Sequence, residues 1–150
     1  MGIAFFDIEL LQLLFSNILV LIIIMNMCNA IFGGCHCGKI RFRVRVTKYE
    51  AIACNCSICQ KKGILHLIFP PEDFELLQGE KNLSTYTFNT GIAKHHFCKT
   101  CGIHPFYRPR SHPHDYDVNV RCLDDDAMEK FTIVPFDGKH WEENIQQITS

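Results

Sequence analysis

Between Lys39 and Val46 the chain alternates strictly, with Ile40, Phe42, Val44 and Val46 on one side and Lys39, Arg41, Arg43 and Arg45 on the other. Successive side chains of an extended backbone point to opposite faces, so this segment predicts a half-buried β-strand with a cationic outer row. The row reads as a solvated sheet face, the alternative being a contact for an acidic partner. Shorter apolar or alternating runs predict further strands at residues 51–54, 65–69, 84–88, 94–97, 105–107, 116–120 and 131–134, with breaks at Pro70-Pro71, Gly79 and Asp137-Gly138. Helical spacing recurs only at the end, where Trp141, Ile145 and Ile148 predict a helix of about two turns. The expected class is mostly β, with a short C-terminal helix over a single domain at residues 31–150.

The first thirty residues do not fit such a domain. Residues 10–32 carry no charge, and Ile18–Met25 is unbroken apolar sequence, long enough with its flanks to cross a bilayer as a helix. Gln12, Ser16, Asn17, Asn26 and Asn29 dilute it, and Asp7 and Glu9 precede it without any Lys or Arg. Three expectations attach to this extension: a membrane anchor, a cleaved signal lacking the usual basic start, or a buried or poorly ordered segment, including an artefactual start of the reading frame. As an anchor it would leave the cations at Lys39, Arg41, Arg43 and Arg45 on the cytosolic side, with the C-terminal domain in the cytoplasm.

Charge and cysteine content sharpen the picture. Lys plus Arg number 15 and Asp plus Glu 16, for a net charge of −1, so no global basic field is present to hold phosphates, and no nucleic-acid partner is expected. Of the nine cysteines, seven fall in tight groups: Cys35 and Cys37; Cys54, Cys56 and Cys59; Cys98 and Cys101. Cysteines this close in sequence are poorly placed to bridge each other, whereas thiolates roughly 3.5 to 4 Å apart fit one tetrahedral ion with bonds of roughly 2.3 Å. Metal is therefore favoured over disulfide, and zinc is the default, although iron and copper(I) share the ligand preference. Free thiolates also fit a reducing compartment.

Each group carries its own chemistry. Gly33-Gly34-Cys35-His36-Cys37-Gly38 puts two thiols on alternate residues, on one face of an expected strand, and Cys98-Lys99-Thr100-Cys101-Gly102 has the spacing of a metal-binding knuckle. Together Cys35, Cys37, Cys98 and Cys101 would make a closed, structural site. Cys54-Asn55-Cys56-Ser57-Ile58-Cys59 offers three thiols in one short loop, and three protein ligands leave a position open for Lewis-acid chemistry or capture of an outside thiolate. Spacing alone leaves other pairings open, including closure of the second site by a histidine.

Four motifs in this order, GGCHCGKIRF, CNCSICQKKG, HHFCKTCGIHPFYRPRS and VNVRCLDD, resemble the glutathione-dependent formaldehyde-activating enzyme and centromere protein V family over residues 31–141. PFYRPRS and FDGKHWEE look most similar to the centromere protein V branch. The resemblance implies an all-β, Mss4-like fold and two zinc ions per chain, one structural at Cys35, Cys37, Cys98 and Cys101, one catalytic at Cys54, Cys56 and Cys59. It implies carbon–sulfur lyase chemistry on a small thiol such as glutathione, in its best-known form the reversible joining of glutathione and formaldehyde into S-hydroxymethylglutathione. The alternative within the resemblance is a non-catalytic zinc scaffold for chromosome or cytoskeletal organisation. The apolar N-terminus departs from the family pattern.

Lys61, Lys62 and Arg110 are candidates to bind substrate carboxylates, and His95, His96 or His104 to move a proton. The plainer alternatives are exposed lysines, a structurally hydrogen-bonded Arg110 and histidines of a sheet face. Cys28 and Cys122 are expected to be unliganded.

Overall fold

The computed structural model describes Asn17 and residues 30–149, and its compact body begins at Ile31. The candidate anchor at residues 10–32 and Cys28 lie outside the described residues, apart from Asn17 and residues 30–32, which open the first strand. Among the described residues no helix is long and apolar enough to cross a membrane.

The chain builds two sheets. The smaller has the order β1-β2-β5, from β1 (Ala30–Gly34), β2 (Arg41–Arg45) and β5 (Phe74–Gln78). The larger contains β3 (Glu50–Cys54), β4 (His66–Phe69), β6 (Leu83–Tyr86), β7 (Lys94–Cys98), β8 (Phe106–Arg108), β9 (Tyr116–Asn119) and β10 (Thr132–Phe136). Its order is β10-β3-β4-β9-β8-β7-β6, and β10 runs parallel to β3 while the other paired strands are antiparallel. Helix α1 (Ser57–Lys62) follows β3, and the C-terminal helix forms as two short pieces, α2 (Trp141–Asn144) and α3 (Gln146–Thr149). The mostly β class is as expected.

The alternation of residues 39–46 does what its pattern dictates. Ile40, Phe42, Val44 and Val46 are essentially inaccessible. The outer arginines are all paired: Arg41 with Asp124, Arg43 with Glu75 and Arg45 with Asp73. The inner face packs on the larger sheet through an aromatic cluster, with Phe42 stacked 5.7 Å from Phe74, edge-on to Phe106 at 6.0 Å, and Tyr116 against Phe74 at 4.0 Å. Each of the buried rings Phe42, Phe74 and Phe106 contributes about 1.5–3 kcal/mol of hydrophobic stabilisation.

Two strands and a helix differ from expectation for identifiable reasons. β5 reads FELLQ and lacks alternation, yet its Glu75 sits opposite Arg43 in register, so an ion pair and the β2 ladder hold it. β1 was hidden in the apolar run. α1 has six residues, too few to display a helical period, and was expected as loop. The Cys35–Cys37 segment also departs from expectation: it is a turn beyond β1, closed by Gly38 N donating to Cys35 O at 3.0 Å and Cys35 N to Ile40 O at 3.1 Å.

Gly79 is a position where glycine is required. It sits at φ +95°, and a Cβ there would come within 2.2 Å of the Lys39 carbonyl oxygen, where β5 turns away from β2. Gly91 also has positive φ, at +69°, but faces open space. Gly91→Ala should therefore cost only the left-handed backbone penalty of about 1–2 kcal/mol. Gly79→Ala should cost at least about 1 kcal/mol more, because backbone must also move. Paired denaturant titrations check this, and equal costs would contradict the close approach.

Candidate functional site

The seven grouped cysteines meet in two places, and all eight described cysteines are free thiols. In the first place the turn after β1 supplies Cys35 and Cys37, and the last residue of β7 and the turn after it supply Cys98 and Cys101. Cys35 Sγ lies 3.6 Å from Cys37 Sγ, which lies 3.7 Å from Cys98 Sγ, and all four sulfurs fall within 4.8 Å of one another. That is the spacing four sulfurs take around a tetrahedral ion. Both turns end on a glycine at positive φ, Gly38 at 73° and Gly102 at 74°. Main-chain amides converge on the sulfurs, Ile40 N donating to Cys35 Sγ at 3.3 Å. Burial pushes the Cys35 thiol up to about 12. At Cys101 burial acts in the same direction but is outweighed by the amides of Ile103 and Cys37, which bring it down to about 6.

In the second place Cys54 ends β3, Cys56 caps α1 and Cys59 lies inside it, with the three sulfurs within 4.8 Å of one another. No histidine nitrogen among the described residues joins this group. The Cys54 and Cys59 thiols, with the Cys59 and Ile58 amides at the helix start, hold Cys56 well below the usual thiol range. Cys54 is raised by its hydrogen bond with Cys56, and Cys59 is raised by Cys54, Cys56 and burial. Without metal these hydrogen bonds thus favour the thiolate at Cys56 over Cys54 and Cys59. The segment after β10 is clamped over them: Asn55 Nδ2 donates to Asp137 Oδ1 at 2.8 Å, and Lys139 N donates to Asn55 Oδ1 at 2.9 Å. Gly138 lies so close that a Cβ there would sit 2.3 Å from Cys54 Sγ.

Both groups fit a thiophilic ion, and they differ in that the first is closed while the second opens on a cleft. This cleft has a volume of about 370 Å³ and is floored by one face of the larger sheet. A cross-strand row forms the floor: Ile68 opposite Asp117, Asp117 opposite Tyr107, Tyr107 opposite His95. His66 stands two residues before Ile68 and opposite Ile52, itself two residues before Cys54. Phe88, Arg110 and Trp141 form the walls.

Of the residues singled out from sequence, Arg110 reaches the cleft, lying 3.2 Å over the Trp141 ring and 3.2 Å from Glu142 Oε1. Lys61 is exposed and is not brought to the cleft; it lines a separate depression with Lys62, His104 and Cys35. Lys62 approaches the Tyr107 ring at 5.8 Å, and burial lowers it to about 8. His95 lies in the cleft, stacked on Tyr107 at 4.9 Å and on Phe88 at 5.5 Å, and burial takes it down to about 4. His96 bonds Thr85 Oγ1 at 2.9 Å, and His104 lies against Phe97, so neither reaches it. Cys122 stays outside both sulfur groups, its thiol raised by burial to about 11.

Sequence reasoning missed the polar set beneath the cleft. His66 Nδ1 lies 3.0 Å from Asp117 Oδ2 and 3.2 Å from the Tyr107 hydroxyl, all three being buried. Burial opposes protonation of His66, but the Asp117 carboxylate outweighs it and raises the imidazole above its ordinary value. The available signal was Asp117 and Asn119 alternating with Val118 and Val120 in a strand whose neighbours are apolar.

Because Cys35, Cys54 and Cys59 are raised, they are protonated at neutral pH in the metal-free chain, and metal uptake must displace those protons. Lowering the pH adds competing protons, so metal affinity in a chelator competition should fall between roughly pH 8 and 6, by about tenfold per unit for each proton displaced. A flat profile would contradict this protonation pattern.

A family model described as "Glutathione-dependent formaldehyde-activating enzyme" matches residues 30–136. A Halomonas elongata protein provisionally named as a glutathione-dependent formaldehyde-activating enzyme is 33% identical over 78 residues, 46% of this chain and 50% of that protein, so the chain matches half the length of this curated relative. The fold is similar to a crystal structure of a Rhodobacter sphaeroides protein, with 36% identity and a TM-score of 0.63 over 69% of this chain and 97% of the other. With the motif order, the paired sulfur clusters and this match over most of its length, the chain belongs to the glutathione-dependent formaldehyde-activating enzyme family.

Proposed function

We propose that the chain is a zinc-dependent carbon–sulfur lyase that interconverts a glutathione-type thiol, a small aldehyde such as formaldehyde, and their S-hydroxymethyl adduct. The observation that carries this reading is the three-sulfur group of Cys54, Cys56 and Cys59 at the mouth of a cleft, in a member of this family. Two zinc ions per chain are proposed, with Cys35, Cys37, Cys98 and Cys101 holding the structural one. Zinc held by Cys54, Cys56 and Cys59 would supply an open coordination position, suited to binding a small thiol and lowering its pKa.

The chain's own residues supply the remainder. Asn55, bonded to Asp137 and to the Lys139 amide, fixes the loop that presents Cys54 and Cys56. Arg110, stacked on Trp141, presents a cation to a thiol's carboxylate from the cleft wall, and Phe88 and Trp141 cover apolar parts of the ligand and limit water. Lys61 is not assigned to this cleft. The zinc domain is proposed to comprise residues 31–150, to follow an apolar segment, and to work in a reducing compartment such as the cytoplasm, where its thiols persist. Placement in the centromere protein V branch rests on PFYRPRS and FDGKHWEE.

Cys56→Ser separates the lyase from a scaffold. Replacing a soft thiolate by a less readily ionised oxygen weakens the three-sulfur site and leaves the four-cysteine site intact. The variant should stay folded, while turnover of glutathione with formaldehyde, followed by exchange NMR, drops by about 100-fold or more. Unchanged turnover in the folded variant would remove Cys56 from the mechanism. No turnover in the zinc-loaded wild type would favour the scaffold.

A further inference from the structure

The polar set under the cleft has no structural need for its composition. His66 and Asp117 are only 5% and 1% exposed, and burying an ionisable pair costs free energy that an apolar pair of the same volume would not. Two of its polar atoms also lack a partner among the described residues: His66 Nε2 and Asp117 Oδ1. Orphaned buried polar atoms are rare where only packing is at stake.

The hydrogen bonds decide which nitrogen carries the proton. A carboxylate only accepts, so the 3.0 Å contact between Asp117 Oδ2 and His66 Nδ1 places the proton on Nδ1. In the neutral ring this leaves Nε2 with its lone pair, buried and unpartnered among the described residues, in a residue that lines the cleft. His66 is also near the sulfur group by strand geometry: it pairs with Ile52, and Cys54 is the next residue on that face, about 7–8 Å away on the diagonal. It is not a fourth ligand, since its nitrogens do not join the three sulfurs.

We propose that His66 is the proton-transfer residue of this cleft, with Asp117 and Tyr107 as positioning residues that fix its tautomer and ring orientation. The proposal rests on the lyase reading above. In adduct breakdown, His66 Nε2 takes the proton of the S–CH2–OH hydroxyl, and the oxygen's electron pair forms the carbonyl double bond. The carbon–sulfur bond then breaks, its electron pair leaving on sulfur as a thiolate. In synthesis the thiolate attacks the carbonyl carbon, and the protonated His66 Nε2 returns its proton to the oxygen. No oxidant or reductant is required.

The test compares zinc-loaded wild type with His66→Gln and Asp117→Asn, using glutathione and formaldehyde as the probe. His66→Gln should lower kcat by about 10²- to 10⁴-fold with KM changed only a few-fold and zinc content unchanged. Asp117→Asn should lower kcat and shift His66 toward the Nε2–H tautomer, a spectroscopic change that a merely structural residue would not produce. Independently of turnover, ¹⁵N-histidine spectra of the wild type should show His66 as the Nδ1–H tautomer, with its Nε2 resonance moving when glutathione and formaldehyde are added together. An Nε2–H tautomer, an Nε2 resonance indifferent to the probe, or a folded His66→Gln with wild-type kcat would overturn the proposal. An active wild type with an unaffected His66→Gln rejects His66 alone. A wild type without turnover rejects the lyase reading and this proposal with it.

Discussion

The two-residue period of a β-strand is the constraint on which the cleft depends. On β3 it places Ile52 and Cys54 on one face, and on β4 it places His66 and Ile68 there. Antiparallel pairing then carries that face through Asp117, Tyr107 and His95. A shift of one residue in the register of β3 would turn Cys54 away from the cleft and toward the packed core. The chain holds that register from both sides: β10 pairs in parallel along all of β3, and the opposite sheet face is committed to the core of Val118, Val120 and Phe106. The chemistry of the sulfur group is thus tied to the packing of the sandwich, although neither residue set touches the other in sequence.

The two sulfur groups use the same side chain for different ends. Around Cys35, Cys37, Cys98 and Cys101 the chain supplies four sulfurs at tetrahedral spacing together with main-chain amides, and the group ties the turn after β1 to the end of β7, far apart in sequence. Around Cys54, Cys56 and Cys59 the chain supplies one sulfur fewer and a cleft instead. Three thiolates would leave a bound zinc with a formal charge of minus one, so cations around the cleft matter. Arg110 is held by Trp141 and Glu142, and Lys62 is desolvated behind Tyr107.

Much of this was legible in the sequence, for physical reasons. Strict alternation from Ile40 to Val46 can only mean a strand buried on one side, and local clustering of thiols restricts them to metal-sized spacing. What was not legible depended on partners distant in sequence. β5 exists because β2 offers it a ladder and Arg43 offers Glu75 a partner, neither of which FELLQ announces. Lys61 and Lys62 look equivalent on paper, but α1 exposes the first and half-buries the second against Tyr107. His66 was overlooked because its significance comes from Asp117, 51 residues away in sequence and diagonal to it across two strands.

The central claim is that one sulfur group is closed and the other keeps a position for an incoming thiol. X-ray absorption at the zinc edge of protein loaded with the two proposed zinc ions measures this directly, since it counts sulfur neighbours averaged over the bound ions. The account predicts about 3.5 sulfurs per zinc in the resting protein, from four at one site and three at the other, rising to about 4 when glutathione is added. A resting value of 4 that glutathione leaves unchanged would contradict the open site.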